Sequence, residues 1–387
     1  MKKILFVMQS LYNGGAEKSL VNLLNEIPEG MFEIDILLFK REGIFLSQVP
    51  KWVNVVDTPS ELEKLYAPLK NAGSKAFTKF FGTLVSHLKE RETRQREAYR
   101  WKFFYSKQVK VYPKHYDIAI AYISGEVLYF VGDKINADKK IVWIHNDYKA
   151  AHHPKEYDYS YLQNMDSIVS ISDKCVEILC EVFPEFKSKI HNIANITSFS
   201  VVKNRANEFV PIEYETSVII ASIGRLNNQK GFDMAIEAAA ILKKRKIDFK
   251  WYVIGDGPLE HELKKQIESC DVSECFKLLG AKENPYPYIK NCKIFVQPSR
   301  FEGKSVVLDE AKILAKPIIV TAYPTVRDQI RNGDEGIIVE MTPAAIADGI
   351  EHLLNNTNER KHLEKYLSTH NYGNQDEVKK YVSLFLS

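Results

Sequence analysis

The chain has 387 residues, of which 45% are hydrophobic and 27% charged. That composition excludes wholesale disorder, collagen and coiled coil, and leaves room for two or three domains with large cores. The net charge of +3 hides an asymmetry: residues 70–114 carry 12 Lys/Arg against 3 Asp/Glu, which leaves the rest of the chain at −6, so an anionic surface partner would meet that segment. No apolar run reaches the ~18–20 residues of a membrane-crossing helix, and Ile4–Met8 is too short for a signal-peptide core. The five cysteines match no zinc or redox spacing and read as free thiols. The expected location is therefore the cytosol, either free or on the inner face of the cell membrane.

In chain order, Ile4–Met8 reads as a buried strand, followed by the loop Gln9–Gly15. Leu20, Leu23, Leu24 and Ile27 then recur at helical spacing. Further strands are expected at Ile34–Phe39, Val53–Asp57, Asp117–Ile123, Lys140–His145, Ser167–Ser172 and Lys189–Ala194. Strands alternating with helices predict a parallel sheet covered on both faces. Residues 197–215 are polar, lack periodicity and contain Pro211, so they read as a linker. Alternation restarts at Val218–Ile223 and continues through Lys250–Ile254, Phe276–Leu279, Ile294–Val296, Ile318–Thr321 and Gly336–Val339.

The expected fold class is α/β, with two doubly wound parallel-sheet (Rossmann-like) domains facing across a cleft. The N-terminal domain spans 1–196 and the C-terminal domain 216–370, with 371–387 packing back on the first. Ligands of such sheets sit beyond the carboxyl ends of the strands. The segment 70–114 is a basic helical insertion. Phe77, Phe80, Phe81, Leu84, Val85 and Leu88 form one apolar stripe, and Trp101, Phe104, Tyr105, Val109 and Tyr112 a second. Either the insertion meets an anionic membrane surface, or it packs its aromatic stripes on its own domain.

Three loops carry the chemistry. Tyr12-Asn13-Gly14-Gly15-Ala16-Glu17 joins the first strand to the first helix, and its glycines suit either a tight turn or close approach to an anion at the helix start. In Gly224-Arg225-Leu226-Asn227-Asn228-Gln229-Lys230-Gly231, Arg225 offers a fork and Lys230 a point charge. The pair suits a diphosphate, or else is a pair of solvated cations. In Arg300-Phe301-Glu302-Gly303-Lys304-Ser305-Val306, Ser305 is a good N-cap for a helix from Val306. Glu302 before that helix and Glu310 one turn inside it suit hydroxyl recognition, or are ordinary surface glutamates. His145 ends a strand and is either a ligand or a locally bonded structural histidine. His152 and His153 read as exposed loop residues.

Together these elements resemble the retaining glycosyltransferases of the GT-B fold, family 4. The residues that carry the likeness are the Glu302-x7-Glu310 pair, the Gly-Gly-Ala-Glu loop, Gly224-Arg225-Leu226 with Gln229-Lys230-Gly231, Gly255-Asp256-Gly257-Pro258 and Lys316-Pro317-Ile318. The resemblance covers the second domain strongly and the first more loosely. It implies a nucleotide-sugar donor on the second domain and a glycan or lipid-linked acceptor on the first. Arg225 and Lys230 would bind the diphosphate, and Gly14 and Gly15 would lie against the phosphate and reacting sugar. Glu302 and His145 would contact the donor sugar, the amides of Ser305 and Val306 the diphosphate, and Glu310 the ribose. Ala281 and Lys282 would border the base, with uridine expected.

Lys304 departs from the apolar residue or glycine of many relatives and could touch phosphate, an anionic acceptor or only water. No Asp-x-Asp lies in a plausible metal loop, so the expectation is no cofactor and no metal. Two rivals are a nucleotide-sugar epimerase of the same fold and a non-catalytic partner subunit; no nucleic-acid motif accompanies the basic stretch.

Overall fold

The structure, a computed structural model, describes residues 1–12, 14–212 and 218–387, with Ser200 described by its backbone alone. The chain divides into two compact units. The first comprises Met1–Tyr12, Ala16–Ala194 and Glu377–Ser387; the second holds Asn195–Asp376 and the loop glycines Gly14 and Gly15.

The first unit contains β1 (Lys3–Met8), α1 (Gly15–Glu26), β2 (Glu33–Leu38), β3 (Asn54–Val56), α2 (Ser60–Tyr66), α3 (Ala76–Lys89), α4 (Thr93–Arg100), β4 (His115–Ala121) and α5 (Glu126–Lys134). It continues with β5 (Asn136–Ile144), α6 (Lys155–Gln163), β6 (Ser167–Ser170), α7 (Asp173–Val182) and β7 (Ile190–Asn192). Its strands form one parallel sheet in the order β3-β2-β1-β4-β5-β6-β7. β1 lies in the interior of the sheet, Ile4 pairing with Ile34 on one edge and with Ile118 on the other, and its side chains are buried from Ile4 to Met8. A strand covered on both faces must be a continuous apolar run, which is why it was readable without neighbours.

The second unit contains α8 (Phe199–Arg205), β8 (Val218–Ile223), α9 (Phe232–Lys244), β9 (Phe249–Ile254), α10 (Glu260–Ser269), β10 (Phe276–Leu278), α11 (Tyr286–Asn291) and β11 (Ile294–Gln297). After these come α12 (Val306–Ile313), β12 (Ile318–Thr321), β13 (Ile337–Val339), α13 (Pro343–Asn355) and α14 (Thr357–Ser368). Its parallel sheet runs β10-β9-β8-β11-β12-β13. Apolar cores lie on both faces, one centred on α9, α10 and α13, the other on α8, α11 and α12. The order reverses between β8 and β11, and the carboxyl ends of the strands at such a reversal are where ligands of open parallel sheets bind.

Two expectations are corrected. The stretch read as a linker, 197–215, contains α8: Val202 and Ala206 are buried in the second unit's core and Phe199 packs against it. That spacing is helical, but the intervening Ser, Lys and Asn masked it; residues 213–215 lie outside the described residues. His153 is buried while its neighbour His152 is exposed. The His153 ring stacks on Tyr148 at 4.6 Å, and its Nδ1 lies 3.9 Å from Asp158, which accepts bonds from Tyr129 and Tyr148.

The chain returns at its end. α15 (Val378–Leu386) buries Tyr381 and Phe385 on the first unit, with Tyr381 stacked on Trp143 at 5.3 Å and Phe385 edge-on to Phe6 at 6.0 Å. The two apolar stripes of the insertion separate. Trp101, Tyr105 and Val109 join the core, with the Trp101 indole donating to Asp133 at 2.8 Å. In α3, by contrast, the buried residues are Gly82 and Ser86, and the phenylalanines face outward.

Under the insertion, Glu126 at the start of α5 is fully buried. Desolvation raises its pKa to about 8, the nearby charge of Glu97 adds to this, and Arg100 opposes it; Tyr66 and Lys79 also face it. The folded state therefore keeps a proton between pH 4.5 and about 8 that the unfolded chain has released. The stability contributed by the protonated group is complete below that window and is lost as pH rises through it. The melting temperature should fall across the window in the parent protein, and Glu126→Gln should flatten that decline. An unchanged slope in the variant, read by thermal melting across pH, would assign it to other groups.

Candidate active site

The site residues of the second unit lie on the loops that follow β8 and β11. After β8 the chain makes a one-turn 3₁₀ helix, Asn228–Lys230, capped by the Asn227 side chain, which accepts from the Lys230 amide at 3.2 Å. A Cβ on Gly224 would sit 3.1–3.2 Å from the Lys230 stem, so the absence of a side chain there lets the lysine lie across the strand end. Gly231 has φ +63°, and a Cβ on it would meet the Pro298 carbonyl at 2.1 Å. Only glycine permits that approach of the β8 loop to the β11 loop.

The two loops are then tied together. The Arg300 amide donates to the Gln229 carbonyl at 2.7 Å, Gln229 Nε2 donates to the Phe301 carbonyl at 3.0 Å, and the Arg300 guanidinium forks onto Asp233 at 2.8 and 2.5 Å. The Gly255-Asp256-Gly257-Pro258 loop braces the same place: the Leu226 amide donates to the Asp256 carbonyl at 2.8 Å and the Leu259 amide to the Leu226 carbonyl at 3.0 Å.

Glu302 is 6% exposed, so its carboxylate must be satisfied within the protein. Oε1 accepts from Lys230 Nζ at 2.6 Å, Ser299 Oγ at 2.7 Å and Gln297 Nε2 at 3.0 Å; Oε2 accepts from Gln229 Nε2 at 3.1 Å. Oε2 thus keeps acceptor capacity for a further donor such as a hydroxyl, and Lys230 keeps two of its three N–H groups beyond the pair. Arg225, on the same loop as Lys230, is exposed and enters no ion pair among the described residues.

The helix end differs from expectation in one respect. The Ser305 amide donates to Gln329 Oε1 at 2.9 Å, its hydroxyl donates to Gln297 Oε1 at 2.9 Å, and its carbonyl accepts from Gln329 Nε2 at 2.5 Å. The Ser305 N–H, expected to meet a diphosphate, is therefore already occupied. The amides of Val306 and Val307, the first two of α12, have no acceptor among the described residues and form the anion-favouring helix end. Lys304 lies 3.6 Å from Asp309, which also accepts from Gln329 at 2.8 Å and lies 3.7 Å from Lys312. Glu310 is on α12 and fully buried.

Ala281 and Lys282 follow β10, beside the bridge between Gly255 and Gly280, with the Lys282 ammonium 5.8 Å from the Tyr288 ring centroid. In the first unit, His145 follows β5, is buried, and shares a 2.8 Å bond between its Nε2 and the Tyr122 carbonyl. Gly14 precedes α1, and a Cβ on Gly15 would meet nothing within 4 Å among the described residues.

The structure thus brings Lys230 and Glu302 into direct contact and adds Gln229, Gln297, Ser299 and Gln329, which sequence reasoning did not select. Gln229 lay inside a quoted motif and Gln297 at a strand's carboxyl end. Nothing local marked Gln329. Among the described residues no cluster of three or more His, Cys, Asp or Glu is arranged to hold a metal ion.

Residues 203–369 match the profile of the family described as glycosyl transferases group 1. The chain is 25% identical over 372 residues, 94% of its length and 92% of the relative's, to the GalNAc-alpha-(1->4)-GalNAc-alpha-(1->3)-diNAcBac-PP-undecaprenol alpha-1,4-N-acetyl-D-galactosaminyltransferase of Campylobacter jejuni. It is 30% identical over 177 residues, 46% of this chain and 47% of the relative, to the N-acetylgalactosamine-N,N'-diacetylbacillosaminyl-diphospho-undecaprenol 4-alpha-N-acetylgalactosaminyltransferase of the same organism. In several curated relatives the chain spans half of their length or less. The crystal structure of Anabaena Alr3699/HepE in complex with UDP-glucose superposes with a TM-score of 0.71 at 14% identity, covering 100% of this chain and 99% of that one. That likeness shows the fold, which is GT-B.

Lys230 and Glu302 are largely shielded from water, with side chains 17% and 7% exposed, so removing one partner strands the other. Lys230→Ala should destabilise the second unit by about 2–4 kcal/mol. The same change in a Glu302→Gln background should cost less, giving a coupling of about 1–2 kcal/mol in a double-mutant cycle read by denaturant unfolding. Strict additivity would mean that the contact does not organise the loops.

Proposed function

We propose that this protein is a retaining glycosyltransferase that moves a hexosyl or N-acetylhexosaminyl group from a nucleotide sugar, with uridine as the base, to a glycan or lipid-linked acceptor. The process served is bacterial surface-polysaccharide or cell-wall glycan synthesis, carried out in the cytosol or at the inner face of the membrane. The observation that carries this reading is the Lys230 ammonium, held at 2.6 Å by Glu302 on the loop leading into α12. The glycosyl transferases group 1 profile over the same domain supports it, as do the lipid-diphosphate acceptors in the names of the Campylobacter relatives and the UDP-glucose held by HepE.

In this reading the bond from the anomeric carbon to the diphosphate oxygen breaks, and its electron pair leaves with the nucleoside diphosphate. The acceptor hydroxyl bonds the anomeric carbon, and its proton ends on the departing diphosphate. Negative charge grows on the leaving group, so preorganised positive charge there lowers the barrier. Lys230, Arg225 and the free amides of Val306 and Val307 supply it without a metal ion. Oε2 of Glu302 takes a donor-sugar hydroxyl, Glu310 the ribose, and Ala281 and Lys282 border the base. Lys304 remains a cation beside the helix end with Asp309 as its counter-charge. Gly14, Gly15 and His145 enter through resemblance alone.

A panel of nucleotide sugars, screened for nucleotide release with and without candidate acceptors, identifies the donor. Release that depends on acceptor separates transfer from epimerisation, and the anomeric configuration of the product, read by NMR, tests retention. Lys230→Ala should lower turnover by ~10²-fold or more, as for loss of one preorganised charge stabiliser. Unchanged turnover would remove Lys230 from the mechanism, and an inverted product would overturn retention.

A further inference from the structure

The amphipathic helix α3 is mounted inside out. Phe77, Phe80, Phe81, Leu84 and Leu88 recur at helical spacing on one face and are 76, 57, 45, 48 and 78% exposed. The opposite face buries Gly82 and Ser86. Packing enforces this orientation. A Cβ on Gly82 would already press on the Phe104 ring at 3.1 Å, so a phenylalanine could not take its place if the helix rolled over. Phe104 is in turn fixed beside Trp101 and Tyr105, which are core residues. An apolar stripe of this size held in water marks an interaction surface.

Charge selects the occupant. The stripe lies within the 70–114 segment of 12 Lys/Arg and 3 Asp/Glu, where Lys70, Lys89, Arg91, Lys102, Lys107 and Lys110 are exposed. A second copy of this chain would bring two such cationic segments together and be repelled. A bilayer with anionic headgroups satisfies both features at once: acyl chains for the phenylalanines and leucines, phosphates for the lysines and arginines. The helix has 14 residues, about 21 Å, shorter than the ~30 Å hydrocarbon core. Among the described residues no helix is long and apolar enough to cross a membrane.

We infer that α3 is an in-plane membrane anchor. Its Phe77–Leu88 face is buried at the headgroup boundary of an anionic bilayer, and the flanking cations pair with lipid phosphate. This deepens the membrane contact included in the functional reading above, and it rests on that reading only for its purpose, delivery of a lipid-linked acceptor. Binding is measured without donor or acceptor, so its failure and the failure of the transferase reading are separate results.

The test is flotation of the full-length protein with vesicles of phosphatidylglycerol and phosphatidylcholine, against phosphatidylcholine alone. Expected is binding to the anionic vesicles, weakened by high salt. The variant Phe77→Ser/Phe80→Ser/Leu84→Ser/Leu88→Ser alters exposed side chains only. It should keep the parent melting temperature and bind at least ~100-fold more weakly. Lys89→Glu/Lys102→Glu/Lys107→Glu should abolish the preference for anionic lipid while leaving the apolar face intact. Three results overturn the inference: no binding to either vesicle, binding unaffected by the serine variant, or a dimer in solution that the serine variant dissolves.

Discussion

A carboxylate removed from water has to find donors, and Glu302 finds four. Meeting that demand draws in groups from the loops after both β8 and β11, because no single loop supplies enough. Lys230 and Gln229 come from the first, Ser299 from the second, and Gln297 from the last position of β11 itself. The same closeness is what makes Gly231 obligatory beneath the Pro298 carbonyl. The position of the lysine ammonium is thus a consequence of burying a charge at the point where the strand order reverses. A cation placed there by a flexible surface loop would have no such definition.

The helix end is built by a second set of constraints. Ser305 caps α12 in position, but its own amide and carbonyl are taken by the Gln329 side chain, and Gln329 is also held through its carbonyl by Lys312 at 2.8 Å. This buried bridge leaves the next two amides to face an anion. Asp309 serves three partners, Lys304, Lys312 and Gln329, so the extra lysine of this chain has its counter-charge built in. Cation, helix end and acidic residues therefore belong to one connected polar network, which fits the chemistry proposed for it.

The first unit has a different character. Its sheet is closed on one side by the returning α15, whose Tyr381 and Phe385 stack into a cluster with Phe6, Phe32, Trp143 and Tyr122. Its insertion spends one apolar stripe on the core and turns the other to solvent. Periodicity detects an amphipathic helix without saying which side is covered. The small residues Gly82 and Ser86, which no hydrophobic pattern marks, are the packing face.

The sequence by itself determined the two parallel sheets, because strands buried on both faces have to be continuous apolar runs, and it located the βα loops that carry Lys230, Glu302 and α12. It misread α8, whose few buried residues are diluted by polar neighbours, and it left His153 on the surface. Tertiary structure alone decided that Glu302 is the partner of Lys230, that the Ser305 amide is occupied while those of Val306 and Val307 have no acceptor among the described residues, and that the phenylalanines of α3 point outward. Each of these outcomes depends on a residue remote in the chain. Gln329 lies 24 positions from Ser305 and Lys230 lies 72 from Glu302; hydrogen bonds and steric contacts at such separations leave no periodic trace in a linear sequence.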